Sequence, residues 1–254
     1  MNQLVGPLVA LWLLVVGREG GDTVAVVADP TIVAHQSAAD ALADRLPGRA
    51  VVLSSGQRWE SSQAPRVVVA IGDPSEREAA ARWPDTPRAS LLLWDEPIAA
   101  PTSHLLISAR MDPVCTAAAL QGRDGVGWLV LASPSDDGAV VLAQRLQAPL
   151  WQGTAQQLQR RLQSGGLTTP TTVWLRSDPA LAVPTWLSYL GAMTRLPEFQ
   201  LGSDAAGFRR FGIGHWVAPD LDALTLATSR WVTRQLRRPR GKRVRHALPC
   251  RRVQ

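Results

Sequence analysis

The sequence predicts the α/β class, with two Rossmann-like lobes built on parallel sheets. Short runs of consecutive apolar residues, such as Val67–Ile71, alternate with stretches whose apolar residues recur at helical spacing, such as Gln36–Leu46. Continuous apolar strands are typical of parallel sheets that helices cover on both faces. The alternation runs twice, with a junction at Met111–Gly125, and therefore predicts two lobes.

The first half of the chain predicts five strands and two helices. The strands are Val24–Ala28, Ala50–Leu53, Val67–Ile71, Ser90–Trp94 and Leu105–Ser108. The helices are Gln36–Leu46 and Glu76–Trp83. Asp73 or Ser75 fits the N-cap of the second helix, and Pro74 fits its first turn.

The second half repeats this order. Its predicted strands are Val126–Ala132, Pro149–Trp151, Thr171–Leu175, Glu198–Leu201 and Phe211–Val217. Its predicted helices are Gly138–Leu146, Ala155–Gln163, Pro184–Met193, Ser203–Phe208 and Leu221–Leu236. We therefore assign residues 21–112 to lobe 1, residues 113–237 to lobe 2 and residues 238–254 to a basic C-terminal tail.

The net charge of +6 is concentrated at the C-terminal end. With 46% hydrophobic residues among 254, the composition excludes a disordered chain. From Arg230 to Gln254 there are ten basic residues and no acidic one, which leaves 17 basic and 21 acidic residues in 1–229. The tail is either a solvated terminus or a surface attracted to nucleic acid or an anionic membrane.

An uncharged apolar run of 13 residues, Leu4–Val16, lies near the amino terminus and is followed by Gly17. Its length is too short to span a bilayer but suits the apolar region of a secretory signal. We therefore predict a signal peptide in residues 1–20, a mature chain beginning near Arg18 and a periplasmic or otherwise extracytoplasmic location. The alternative is a buried first strand or helix.

The residue types that carry most catalytic and metal chemistry are missing or scattered. Cys115 and Cys250 are the only cysteines and the histidines are dispersed, so neither a metal site nor a cofactor is predicted. One disulfide between the two cysteines remains open. The chain has no GxSxG, HExxH or P-loop motif, and Gly212–Gly214 lacks the third glycine of a dinucleotide fingerprint. We predict that the protein is not an enzyme.

Several segments together resemble the type I periplasmic substrate-binding proteins of ABC transporters, a family that includes tryptophan-type binders. The segments are VGWLVLASPSDDGAVVLAQRL (126–146), GDPSEREAAARWPDTPRASLLL (72–93), DPVCTAAAL (112–120), VWLRSDPAL (173–181) and RLPEF (195–199). The resemblance covers Val24–Leu236. It implies a monomer that binds a small molecule, such as an amino acid or an aromatic acid, between its lobes and presents it to a membrane permease. Because of the predicted signal peptide, no nucleic-acid partner is expected.

The sequence departs from this family's pattern in two places. The loop Asp95–Ser103 is shorter than in the family, and residues 237–254 lack its usual closing strand pair. A shortened cleft favours the alternative function, an accessory or scaffold protein with the same fold and a degenerate ligand site.

Ligands of open parallel sheets bind beyond the carboxyl ends of the strands, and the residues in those loops are the predicted contacts. They are Ser37, Gly72, Asp73, Ser75, Ser133, Ser135 and Asp178, with His35 and Gln36 in the first loop. The hydroxyls and helix N-termini suit a carboxylate, and Asp178 suits an amino group. N-capping is the alternative role for Ser37, Asp73 and Ser135.

Three of the ten tryptophans, Trp94, Trp174 and Trp186, lie near strand ends or on a predicted helix that faces the cleft. Aromatic rings there form either a wall for a flat ligand or part of the core.

Overall fold

The structure is a computed structural model that describes residues 23–46, 48–61, 63–97, 99–121, 127–165, 171–239 and 241–253. The predicted signal peptide, residues 1–20, lies outside the described residues. By internal packing the chain divides into two compact units. The first unit comprises the described residues of 1–91, 97–106 and 225–244, and the second comprises those of 92–96, 107–224 and 245–254.

Strands and helices alternate along the chain. The strands are β1 (Val24–Ala28), β2 (Ala50–Ser54), β3 (Val67–Ile71), β4 (Arg88–Leu93), β5 (His104–Met111), β6 (Trp128–Ala132), β7 (Leu150–Gln152), β8 (Thr171–Leu175), β9 (Phe199–Ser203), β10 (Gly214–His215), β11 (Val217–Pro219), β12 (Arg243–Leu248) and β13 (Cys250–Arg252). The helices are α1 (Val33–Arg45), α2 (Asp73–Arg82), α3 (Pro113–Leu120), α4 (Gly138–Leu146), α5 (Ala155–Gln163), α6 (Pro184–Met193) and α7 (Leu221–Arg237), with 3₁₀ turns at Pro179–Leu181 and Ala206–Phe211.

Two main sheets carry the fold. The six-stranded sheet has the order β12-β5-β4-β3-β1-β2, and the five-stranded sheet has the order β10-β9-β8-β6-β7. β1 pairs in parallel with β2 and β3, and β8 pairs in parallel with β6 and β9. β1 and β3 are buried along their whole length, as expected for strands that are covered on both faces. The α/β prediction with two parallel sheets is confirmed.

Helix α5 shows how local sequence sets an element and its packing. The hydroxyl of Thr154 accepts a hydrogen bond from the Gln157 amide at 3.3 Å, and the Gln157 side chain accepts one from the Thr154 amide at 2.9 Å. This capping box satisfies amides that have no partner within the helix. Leu158 and Leu162, four residues apart, then place their side chains in the core of the second unit.

The C-terminal region corrects the expectation that the chain lacks a closing strand pair. β12 joins the edge of the six-stranded sheet, and β13 pairs antiparallel with β11. Most side chains of β12 are exposed, arginines among them, although its backbone belongs to a sheet. Charged edge strands of this kind are common because ladder hydrogen bonds use only the main chain. The sequence pattern therefore looked like a solvated tail.

The two cysteines form a disulfide, which settles the pairing that the sequence left open. Cys115 lies in α3 and Cys250 in β13, with their Cα atoms 5.9 Å apart. The bond ties the last strand of the chain to a helix 135 residues earlier. No described helix has the length and apolar character needed to cross a membrane.

A buried polar cluster lies in the first unit. Glu76 of α2 forms an ion pair with Arg88 at 3.0 Å and accepts a hydrogen bond from the Ser90 hydroxyl. The Ser90 oxygen also lies 2.7 Å from Nε2 of His104. Because Ser90 gives its only proton to Glu76, Nε2 of His104 must be the donor of the second bond. Burial, followed by repulsion from Arg88 and Arg243, lowers the pKa of His104 to about 4.

We expect His104 to make the folded state less stable in acid. In the unfolded chain a histidine takes up a proton near pH 6.5, whereas His104 in the fold stays neutral until about pH 4. The unfolded state therefore binds more protons between these values, and stability falls as the pH drops from 6.5 to 4, by roughly 3 kcal/mol in full. The measurement is urea unfolding of the wild type and His104→Gln at a series of pH values.

The difference between the two proteins isolates His104, because burial also raises the pKa of Glu76 and that carboxyl is present in both. The wild type should lose stability relative to the variant across this pH window. Parallel stability curves would contradict a neutral His104.

Candidate functional site

Three of the predicted contacts meet in the second unit, at the carboxyl ends of β6 and β8. The Ser133 hydroxyl donates to Oδ2 of Asp178 at 2.8 Å, and the Ser133 and Ser135 oxygens lie 3.3 Å apart. A guanidinium nitrogen of Arg110, at the end of β5, lies 3.0 Å from the same Asp178 oxygen and 3.4 Å from the Ser135 oxygen. The topology thus brings one carboxylate, one guanidinium and two hydroxyls together at one place.

The Asp178 carboxylate has its partners within the chain. Besides Ser133 and Arg110, the backbone amide of Ala180 donates to its Oδ1 at 2.8 Å, so Asp178 is the N-cap of the turn Pro179–Leu181. Burial raises the pKa of Asp178, but the Ala180 amide, the Ser133 hydroxyl and Arg110 outweigh burial and leave that pKa below its ordinary value. Asp178 is therefore an ionised anchor for Arg110.

Arg110 was not among the residues predicted from the sequence. Its side chain is 28% exposed, and its guanidinium carbon lies 5.9 Å from the centre of the Trp94 ring. Its Nε is buried without a hydrogen-bond partner. Ser135 beside it is exposed and Trp94 is half-buried. The surface consisting of Arg110, Ser135 and Trp94, the Arg110 site, offers a cation, a hydroxyl and an aromatic ring.

The loops that present the Arg110 site are held by a buried ion cluster around Arg176. Its Nε donates to Asp136 at 2.8 Å and Nη1 lies 3.5 Å from Asp204. Nη2 donates to the Met111 carbonyl at 3.3 Å, next to Arg110. Burial opposes the charge on Arg176, but Asp204 and Asp136 outweigh burial and raise its pKa. The cluster joins the loops after β6, β8 and β9 to the end of β5.

Predicted contacts in the first unit have different surroundings. Gly72 is buried, has a φ of +87° and lies directly against the His35 ring, so a side chain at this position would be strained and would collide with the imidazole. Burial lowers the pKa of His35, and the nearby carboxylates of Asp29 and Asp73 oppose that shift. The Ser75 hydroxyl is fully buried and lies 2.9 Å from that of Ser55.

The capping roles considered for four of these residues are wrong. α1 begins at Val33, so Ser37 is an exposed residue inside the helix and not its N-cap. α2 begins at Asp73 after Gly72, which makes Asp73 and Ser75 helical residues. α4 follows Asp137, two residues beyond Ser135. No side chain caps any of these three helices in the structure, so the four polar residues do not have the N-cap role that the sequence suggested.

The three tryptophans separate into two roles. Trp174 and Trp186 are fully buried, and Trp186 belongs to the hydrophobic core of the second unit. The ring of Trp174 packs against that of Trp216, with centres 6.1 Å apart. Core packing therefore accounts for Trp174 and Trp186, whereas Trp94 is half-buried beside Arg110.

The fold is that of two-lobed ligand-binding proteins. No protein-family model matches the chain, and no curated protein sequence matches it. Solved structures with the same fold include a LacI transcriptional regulator from Lactobacillus brevis, with 11% identity, a TM-score of 0.56 and coverage of 91% of this chain and 99% of that one. They also include a ligand-free, open substrate-binding protein with adhesive properties from Clostridium difficile, with 11% identity, a TM-score of 0.60 and 90% coverage of both chains.

A third similar structure is the lac repressor dimer bound to operator and an anti-inducer, with 15% identity, a TM-score of 0.57 and coverage of 99% of this chain and 98% of the repressor. Identities this low establish the fold alone. The chain therefore has the type I periplasmic-binding-protein fold, which substrate-binding proteins share with LacI-type regulators.

Proposed function

We propose that the protein is an extracytoplasmic solute-binding protein that takes a small carboxylic acid at the Arg110 site. The observation that carries the proposal is the partly exposed guanidinium of Arg110, which Asp178 holds beside Trp94 and Ser135. A guanidinium is the usual partner of a carboxylate, and an aromatic face suits a flat apolar group. An amino acid or an aromatic acid has both features.

The disulfide and the apolar run near the amino terminus both favour a compartment outside the cytoplasm. Disulfides persist in oxidising compartments and are rare in the cytosol, so the Cys115–Cys250 bond favours a location outside the cytoplasm. The apolar run Leu4–Val16 supports the same location as a secretory signal. A solute-binding protein there would deliver its ligand to the permease of an ABC-type transporter.

The second candidate is an accessory or scaffold protein with a degenerate ligand site. It is favoured by the internal hydrogen bonds of Ser133 and Asp178, which engage polar groups that were predicted to contact the ligand. The burial of Gly72 and Ser75 favours it too. The two candidates differ in one observable property, the binding of a small ligand.

A thermal-shift screen against amino acids and aromatic carboxylic acids distinguishes them. A ligand at 100 times its Kd adds about 2.7 kcal/mol of stability, which gives a readable rise in melting temperature. Any acid that raises the melting temperature supports the solute-binding protein. If no acid in the panel raises it, the accessory role is favoured.

For an acid found in the screen, Arg110→Gln should weaken binding by about tenfold to a hundredfold, because a hydrogen bond to a charged group is lost. Isothermal titration measures the change. Arg195→Gln removes an exposed charge of the same unit and should leave the Kd unaltered.

The amide analogue of the same acid is a second control. Because it lacks the carboxylate, it should bind the wild type and Arg110→Gln equally weakly. Ser135→Ala tests the site without disturbing the ion pair with Asp178. An acid that binds wild type and Arg110→Gln with equal affinity would show that the ligand lies elsewhere.

A further inference from the structure

A basic pocket lies in the first unit, on the exposed side of α7 next to the end of α1. Its volume is about 610 Å³, within the range of small-molecule sites. The residues that line it are Arg45, Ser229, Arg230, Thr233, Arg234, Arg237 and Arg238. Five of these seven described residues are arginines and none carries a carboxylate. The pocket shares no residue with the Arg110 site.

The arginines of α7 share one face of the helix. Arg230, Arg234 and Arg237 are exposed and follow the i, i+4, i+7 spacing of that face, and exposed Arg238 directly follows the last residue of the helix. The opposite face is buried through residues such as Leu224 and Val232. Like charges four residues apart repel each other, so this arrangement costs helix stability. Stability of the helix alone therefore does not account for it.

The helix dipole leaves part of the arrangement unexplained. Cations near the last turn of a helix are favourable, but the effect is confined to that turn, and Arg230 lies seven residues before the end of α7. The end of α7 has another cation as well, because Arg66 donates to the Leu236 carbonyl at 3.1 Å. Arg45 arrives from α1, where its Nε donates to the Thr225 hydroxyl at 3.1 Å. Two helices thus bring guanidinium groups to one concave surface.

We propose that this pocket binds a multiply charged phosphate-type anion. Arg230 and Arg237 are seven residues apart, so their Cα atoms are separated by about 10 Å along the helix. A single phosphate contacts only part of such a row, whereas two or three linked phosphate groups follow it. Arginine forks match phosphate oxygens in charge and in geometry. Thr233 adds a hydroxyl to the lining, whereas the Ser229 hydroxyl donates to the Leu226 carbonyl at 3.0 Å.

Titration of inorganic tripolyphosphate into the full chain tests the site, with calorimetry as the readout. Arg230→Gln/Arg234→Gln should weaken binding by at least about tenfold, because two charge-assisted contacts are lost. The matched control is Arg251→Gln/Arg252→Gln, which removes the same charge from exposed positions of β13. The control should bind within about twofold of the wild type, since its arginines lie outside the pocket.

Sedimentation with vesicles that contain phosphatidic acid, compared with phosphatidylcholine alone, identifies the source of the phosphate. If tripolyphosphate binds the wild type and the control but not Arg230→Gln/Arg234→Gln, the ligand of the pocket is a soluble anion. Vesicle binding without tripolyphosphate binding, lost in the same variant, assigns a lipid headgroup to the same site. Equal losses in both double variants, or no binding of either probe, would overturn the proposal.

If Arg230→Gln/Arg234→Gln fails to fold, Arg237→Gln/Arg238→Gln makes the same test at the end of the helix. The melting temperature of each variant establishes that it is folded before titration.

Discussion

Replacing Arg176 with methionine is expected to lower the free energy of unfolding by about 3–5 kcal/mol, because two buried carboxylates lose their cation. Arg176 is 1% exposed, and its partners Asp136 and Asp204 are 1% and 4% exposed. Methionine fills much of the same volume, so the loss arises from unpaired charge more than from a cavity. Urea denaturation of the wild type and the variant measures it.

Two further variants make the interpretation specific. Arg195→Met changes an exposed arginine of the same unit and should alter stability by no more than about 0.5 kcal/mol. Neutralising Asp136 and Asp204 to asparagine in the Arg176→Met background should recover part of the loss, since buried charges without a partner are then absent. A wild-type-like Arg176→Met would show that the ion cluster does not hold these loops together.

The elements of the fold could be predicted from the sequence because buried strands have consecutive apolar residues, whereas amphipathic helices have apolar residues at helical spacing. β3 and β8 have the predicted bounds, and so do α4, α5 and α6. In each case the apolar residues face a core, so burial of these side chains determines both the hydrophobic pattern and the position of the element. Where ends differ, as for α1, the helix begins at Val33 after Ile32, and both residues are exposed and have no capping side chain to mark the start.

β12 could not be predicted in this way. Its sequence, RVRHAL, is mostly exposed, and an edge strand is defined by main-chain pairing that no side-chain pattern reports. The Cys115–Cys250 bond depends on the placement of β13, so it was open for the same reason. The pairing of a charged segment with a distant strand depends on the assembled sheet, so the segment's own sequence does not indicate it.

Two of the three residues of the Arg110 site followed from the sequence. Ser135 was found because it follows a predicted strand, and Trp94 because it is the last residue of one. Arg110 was missed because β5 continues to Met111, beyond the apolar run that marked its predicted end at Ser108. An arginine directly before Met111 and the helix cap Asp112 was the available signal, since polar residues at the end of a parallel strand lie at its ligand-binding edge.

Loss of the Cys115–Cys250 disulfide is expected to lower the free energy of unfolding by about 5 kcal/mol, because the bond closes a loop of 135 residues in the unfolded chain. Long loops lose the most conformational entropy when they are closed, so the effect of this bond lies near the upper end for single disulfides. The measurement is urea unfolding of the oxidised wild type and of Cys115→Ser/Cys250→Ser, both in the absence of reductant.

The same double variant also shows whether the bond is formed in the wild type. Dithiothreitol should destabilise the wild type and leave the variant unchanged, because only the wild type has a bond to reduce. If oxidised wild type and double variant unfold at the same urea concentration, β13 is held by its pairing with β11 and its packing against α3 without help from the bond. The disulfide would then contribute nothing to stability.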